Sequence, residues 1–109
     1  MLKLKIKPLG LEASRLTSVF SQGMGFVFHL RGKRSKLFEF PQENQIGIHM
    51  LFVFFPLIVV WMDKQKKITH TNVSYPFISF TSHKAKYVLE IPYKTEVLKK
   101  IRVGMKLSW

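Results

Sequence analysis

Hydrophobic and polar residues alternate strictly at the start of the chain. Residues 2–7 read Leu-Lys-Leu-Lys-Ile-Lys, and this period of two places three apolar side chains on one face of an extended segment and three ammonium groups on the other. The pattern predicts a half-buried β-strand whose lysines would discourage pairing at a sheet edge. Leu-Phe-Glu-Phe at 37–40 alternates in the same way and predicts a second strand, which Pro41 closes.

The longest apolar run lies in the middle of the chain. Residues 50–62 read Met-Leu-Phe-Val-Phe-Phe-Pro-Leu-Ile-Val-Val-Trp-Met. A membrane-spanning helix needs about 20 such residues, and Pro56 interrupts this run. The Phe and Val content favours two buried strands instead, at 46–54 and 57–62. The run therefore predicts the centre of a β-core and not a transmembrane segment.

Two short helices are predicted elsewhere. Leu16 and 19–20 fall on one helical face, which indicates a helix over 12–21. Thr95 is a suitable N-cap for a second helix that ends near Ile101. Further strands are expected at 25–30, 68–73, 87–91 and 105–109, and loops at 31–36, 42–45, 63–67 and 74–84.

These elements together predict the fold class. Several short strands with one or two short helices indicate a mainly β protein, either a compact β-sandwich or a partly open barrel. The chain has 109 residues, which is the size of one domain, so we expect a single β-rich domain over 1–109.

Composition restricts the kinds of ligand and site that the protein can have. Lys and Arg number 18 against 6 Asp and Glu, for a net charge of +12, and such a surface attracts anions and polyanions. The absence of cysteine excludes disulfides, thiolate zinc sites and a cysteine nucleophile. Because lysines interrupt the N-terminal segment, no signal-peptide core is expected. A cytoplasmic location is the corresponding expectation.

Two features are the candidate binding residues. Arg31, Lys33, Arg34 and Lys36 form the densest basic cluster, in a predicted loop, where an anionic small molecule or an acidic partner could bind. His49 is the polar group of an apolar segment, and a buried imidazole must be hydrogen-bonded. The alternatives remain open: a solvated loop and a histidine satisfied within the core.

Motifs for catalysis and for metal or cofactor binding are missing from the sequence. The four histidines lack metal-ligand spacing, and no phosphate loop or nucleophile elbow occurs. Glu39 and Glu90 are strand residues that could face outward, so no carboxylate pair is predicted. We therefore expect no catalytic residue, metal or cofactor, and favour a small non-catalytic binding or accessory domain. A nucleic-acid-associated protein, which no motif supports, and an enzyme of unrecognised type are the alternatives.

Three segments resemble one protein family. Residues 48–63, IHMLFVFFPLIVVWMD, are similar to a central pattern I-H-M-x-F-x-x-F-P-I-D-V-V-F-L-D in archaeal-type members of domain-of-unknown-function family 192, also called uncharacterised protein family 0127. Residues 87–92, YVLEIP, and 101–104, IRVG, resemble its ending, and 37–41 resemble its L-L-F-x-F-P. The resemblance implies a compact β-sandwich-like domain with a short helix before the last strand. It implies no known activity.

The chain departs from this family pattern at charged positions. Val27 stands where the family has Arg, and Ile58 stands where it has Asp. We hypothesise that the two positions face each other and that an ion pair of the family is replaced here by apolar residues, because losing one buried partner alone would cost about 3–5 kcal/mol. Independent drift of two strand positions is the alternative.

Overall fold

The computed structural model describes residues 3–17, 26–28, 35–49, 55–75 and 80–109. These residues form seven strands and one short helix, which confirms the predicted mainly β fold. The elements are β1 (Lys3–Ile6), β2 (Leu11–Thr17), β3 (Phe26–Phe28), β4 (Lys36–His49), β5 (Leu57–Met62), β6 (Ile68–Ser74), β7 (Phe80–Pro92) and α1 (Thr95–Leu98).

The described strands form one open sheet in the order β1-β2-β4-β7-β5-β6, with β3 paired to β4. β4 is parallel to β2 and to β3. All other pairs of neighbouring strands are antiparallel, including β4 with β7. No helix in the described part of the chain is long and apolar enough to cross a membrane.

β5 lies deep in the sheet because all six of its residues are apolar. It pairs with β6 on one side and with β7 on the other, and every one of its side chains is buried. A strand of this kind must be covered on both faces, since its side chains alternate between them. The prediction of a buried strand at 57–62 is confirmed.

The two faces of the sheet follow from this alternation. Ile58, Val60 and Met62 belong to the main hydrophobic core, which we call the core face. The end of β1, the β1–β2 turn and the segment after α1 contribute further buried side chains to the core face: Ile6, Leu9, Ile101 and Leu107. Leu57, Val59 and Trp61 alternate with the core residues and are buried on the opposite side, which we call the second face.

The outer half of the β4–β7 pair bends over the second face. His83, in that half, contacts Trp61 edge-on at 4.7 Å between ring centroids. The direct β7 partner of Trp61 is Val88. Val88 is five positions from His83 in the sequence, a separation of about 17 Å along a straight strand. An irregularity in β4 between Glu39 and Asn44 is the place of the bend, and β-bulges characteristically bend strands.

The predicted helix over 12–21 is wrong. Residues 11–17 form β2, which pairs with β1 on one side and with β4 on the other. Three apolar residues at helical spacing predict a helix only weakly. Backbone hydrogen bonds from β2 to both β1 and β4 stabilise the strand more than this pattern favours a helix. Ala13 enters the core while Ser14 occupies the other face, which is strand periodicity.

Three predicted loop boundaries are also wrong. β4 continues through 42–45 and includes Lys36, and β7 begins at Phe80, within the predicted loop at 74–84. The polar residues in these stretches are compatible with strands because the ladder satisfies their backbone groups. Pro41 lies at the β4 irregularity, where its missing N–H is tolerated.

The end of the chain matches its prediction in part. A helix is confirmed, but it spans only Thr95–Leu98, and its N-cap is Lys94, without a side-chain capping bond. Thr95 is thus the first helical residue and not the cap. The predicted closing strand at 105–109 forms two isolated bridges, Lys67 with Lys106 and Lys7 with Ser108.

Candidate functional site

A row of polar residues crosses the second face of the sheet. Lys3 of β1 pairs with Ser14 of β2, and Ser14 pairs in turn with Lys36 of β4. Lys36 then pairs with Glu90 of β7. Paired residues project from the same face, so these four side chains lie side by side across four strands. We call this set the polar row.

Glu90 is the innermost member of the polar row. Its side chain is only 1% exposed, and neither carboxylate oxygen has a hydrogen-bond partner among the described residues. Burial raises the pKa of Glu90 to about 8, against the weaker opposing effect of the Lys36 ammonium. The carboxyl is therefore mostly protonated at neutral pH, and strongly perturbed buried acids of this kind are typical of functional sites.

A surface cleft of about 460 Å³ opens at the other end of the polar row. Its wall includes Lys3 and Ser14 from the row, together with Ser35 and Lys94. The full lining is Lys3, Gly10, Leu11, Glu12, Ala13, Ser14, Ser35 and Lys94. The Ser14 N–H donates a hydrogen bond of 3.0 Å to the Ser35 carbonyl, which fixes the two serines next to each other.

The local structure explains how the cleft is held open. Gly10 forms the β1–β2 turn with a φ of +69°, a left-handed conformation that favours glycine. Ile6 and Leu9 anchor this hairpin in the core. The Tyr93 N–H donates to the Pro56 carbonyl at 3.1 Å, which anchors the backbone next to Lys94. Two anchored backbone segments thus contribute to the lining of the cleft.

Of the five predicted binding residues, Lys36 is the one whose side chain the structure describes. Lys36 belongs to the polar row, although in a strand and not in the predicted loop. Arg31, Lys33 and Arg34 lie outside the described residues. His49 ends β4, with its backbone opposite Phe80, and its side chain lies outside the described part of the chain.

Sequence reasoning missed Glu90 and Ser14 of the polar row, and it also missed Lys3, Ser35 and Lys94 of the cleft. Glu90 sits between Leu89 and Ile91, so alternation indicates an outward side chain, but the face it occupies is itself buried. A polar residue within an apolar strand was the only signal. Glu39, by contrast, forms an ion pair with Arg15 on the core-face side, near its border with solvent.

Two histidines converge away from the polar row. The rings of His70 and His83 stack with centroids 3.9 Å apart and planes inclined by 10°. Lone pairs of stacked rings lie in parallel planes and do not converge on a single ion, so the arrangement is not a metal clamp. In the described part of the chain, no three His, Asp or Glu side chains are grouped to hold a metal.

The register gives no support to a contact between Val27 and Ile58. Val27 pairs with Gly47, which lies opposite Ser82 of β7. Ile58 lies opposite Ile91 of β7, nine positions further along that strand. Ile58 points into the core face, and the side chain of Val27 lies outside the described residues.

Two solved structures have a similar fold. One, a protein provisionally described as a transcription regulator from Sinorhizobium meliloti 1021, has a TM-score of 0.68 and 16% identity, over 90% of this chain and 81% of that one. The other, a protein of unknown function from Novosphingobium aromaticivorans DSM 12444, has a TM-score of 0.67 and 18% identity, over 98% of this chain and 85% of that one. Identities this low establish a shared fold alone.

Sequence comparison identifies the family directly. No curated protein matches the sequence. The family model DUF192, described as Uncharacterized ACR, matches residues 5–109. This span includes all three segments whose pattern resembles that family, together with the polar row from Ser14 to Glu90. The chain therefore belongs to the DUF192 family.

Proposed function

We propose that this protein is a non-catalytic binding domain that takes a small anionic ligand in the cleft at the end of the polar row. The observation that carries the proposal is that two lysines and two serines, Lys3, Lys94, Ser14 and Ser35, line one cleft. Ammonium groups attract the anion, and hydroxyl groups can donate hydrogen bonds to its oxygens. Lys36 follows Ser35 in the chain and adds a third cation beside Ser14.

The acidic residues near the cleft are compatible with an anionic ligand. Glu12 is the carboxylate in the lining, and it is exposed and lies opposite Lys5 in the β1–β2 ladder. Glu90 is mostly neutral at pH 7 because burial raises its pKa to about 8. Neither acid therefore places an isolated negative charge against the ligand.

A thermal-shift screen tests the proposal. The probes are inorganic phosphate, nucleoside monophosphates and short dicarboxylates, since a ligand that binds only the native state raises Tm. We expect at least one anion to stabilise the protein. The double variant Lys3→Gln, Lys94→Gln should lose the shift, whereas the control Lys84→Gln, Lys99→Gln should keep it.

The matched control removes the same charge from exposed positions outside the cleft. An equal loss in both double variants would show a general charge effect and would contradict a specific site. Absence of any shift with all of these anions would also reject the proposal.

Two finer assignments belong to the same proposal. A cytoplasmic location is supported by the absence of cysteine from the sequence. An archaeal-type position within the family is supported by the Ile-His-Met start of the central motif.

A further inference from the structure

The C-terminal segment carries a basic surface on the side that faces away from the core. Leu107 is 3% exposed and belongs to the core, so its neighbours Lys106 and Ser108 project outward. Lys106 bridges Lys67, and Ser108 bridges Lys7. Bridged residues share a face, which places three lysines on one exterior surface. We call Lys7, Lys67 and Lys106 the lysine face.

Among the described residues, no acidic side chain forms a salt bridge with the lysine face. All three lysines are exposed. Asp63 is nearby, but its carboxylate accepts hydrogen bonds from the backbone N–H groups of Gln65 and Lys67, at 2.8 and 3.0 Å. Like charges directly opposite each other destabilise a sheet, so the Lys67–Lys106 pair has a cost that an external anion would remove.

The backbone under the lysine face is rigidly held. The Leu107 N–H donates to the Lys66 carbonyl at 3.0 Å, and the Ile68 N–H donates to the Met105 carbonyl at 2.8 Å. On the other side, Lys7 and Ser108 exchange two backbone bonds, at 2.9 and 3.0 Å. The Cα positions of the three lysines are therefore fixed, and a ligand need not order the backbone when it binds.

A fourth cation is fixed beside this surface. Lys66 adopts a φ of 65°, a left-handed conformation that is unfavourable for a residue with a Cβ. Its Nζ lies 4.2 Å from the centroid of the Trp109 ring, a cation–π contact. The strained position thus retains a lysine where glycine or asparagine would fit better.

We infer that the lysine face binds the phosphodiester backbone of nucleic acid. Neighbouring extended segments are about 4.8 Å apart, and alternate residues along one segment are about 7 Å apart. The three Cα atoms consequently span roughly 12 Å by the same spacings, which is wider than one phosphate but suits a chain of them. Contacts to the backbone alone carry no sequence information, so binding is expected to be independent of sequence.

Fluorescence anisotropy with labelled nucleic acid tests the inference. The probes are a 20-base-pair DNA duplex and a single-stranded RNA of the same length, each in two unrelated sequences. We expect the triple variant Lys7→Gln, Lys67→Gln, Lys106→Gln to bind at least 10-fold more weakly. The slope of log affinity against log salt concentration should fall by about 2 to 3, because up to three phosphate contacts are lost.

Two controls separate this surface from general charge and from the cleft. The triple variant Lys64→Gln, Lys84→Gln, Lys99→Gln removes the same charge from other exposed positions and should lose less than 3-fold in affinity. The cleft variant Lys3→Gln, Lys94→Gln should also retain binding, so failure of the proposed cleft and failure of the lysine face are distinguishable.

The variant is also expected to fold. Removing the Lys67–Lys106 repulsion should leave Tm unchanged or raise it, and a large fall in Tm would contradict the structural premise. Equal weakening by both triple variants would overturn the inference, as would absence of binding at 50 mM salt. A poly-glutamate peptide that binds as tightly as the nucleic acids would point to an acidic partner and would overturn it too.

Discussion

Glu90 lies directly opposite Lys36 across the β4–β7 ladder, yet neither of its carboxylate oxygens has a hydrogen-bond partner in the part of the chain that the structure describes. A buried charged carboxylate without such partners is unfavourable. The protein accommodates it by keeping the group protonated, since burial raises its pKa to about 8. The polar row therefore ends in a neutral acid at physiological pH.

Stability should fall as pH rises because of Glu90. The pKa is 4.5 for an unperturbed glutamate and about 8 in the fold, so the native state holds an extra proton between these values. The contribution is complete below pH 4.5 and is lost by about pH 8, and the difference corresponds to roughly 5 kcal/mol as an upper bound. Urea unfolding at intervals from pH 5 to pH 9 measures this decline.

The variant Glu90→Gln isolates the effect, because it is isosteric and does not titrate. Its free energy of unfolding should change much less than that of the wild type over the same range. Glu96→Gln serves as the control because Glu96 is exposed in the first turn of α1. Parallel curves for Glu90→Gln and wild type would show that Glu90 is not the titrating group.

The stacked histidines are expected to lower the stability of the protein as pH falls below neutral. Burial lowers the pKa of His83 below 6.5, and the adjacent His70 lowers it further. The unfolded chain then binds more protons than the native state, so stability falls as pH decreases through and below 6.5. An NMR titration should place the His83 midpoint below 6.5, and His70→Gln should move it upward. A midpoint unaffected by His70→Gln would contradict the contact.

Substitutions of Ile58 test why this chain differs from the family pattern, which has Asp at this position. It is fully buried within the core face, so Ile58→Val should cost about 0.5–1.5 kcal/mol in the free energy of unfolding. Ile58→Asp restores the residue of the family pattern but places a carboxylate among apolar side chains, and it should prevent stable folding. Chemical denaturation and circular dichroism measure both. A folded Ile58→Asp variant of near wild-type stability would imply that a polar partner is available there.

The Arg15–Glu39 ion pair should contribute little. Its side chains are 38% and 24% exposed, and ion pairs at this degree of solvent contact are typically worth less than about 1 kcal/mol. Glu39→Gln should therefore lower the free energy of unfolding by no more than that amount, and the loss should shrink in 1 M salt. It should also lower the pKa of Tyr87, which burial and Glu39 raise. A spectrophotometric titration of the tyrosines checks the second effect.

Local pattern was sufficient for the strands with the strongest periodicity. The alternation at 2–7, the apolar block at 57–62 and the polar hairpin at 63–67 were predicted because short-range sequence alone decides which side chains must avoid water. The β-character of the whole protein followed from these segments. The family motifs at 87–92 and 101–104 lie within the matched region as well.

Pairing partners and face assignment came only from the tertiary structure. Residues 11–17 became a strand because β1 and β4 lie on either side of it, and no local signal reports those neighbours. Glu90 became a buried acid because the second face is itself covered, which alternation along one strand cannot reveal. The lysine face likewise depends on bridges between residues 39 and 101 positions apart, Lys67 with Lys106 and Lys7 with Ser108. Sequence thus determined where the chain is extended and which side chains are apolar, whereas long-range backbone pairing decided which polar groups meet.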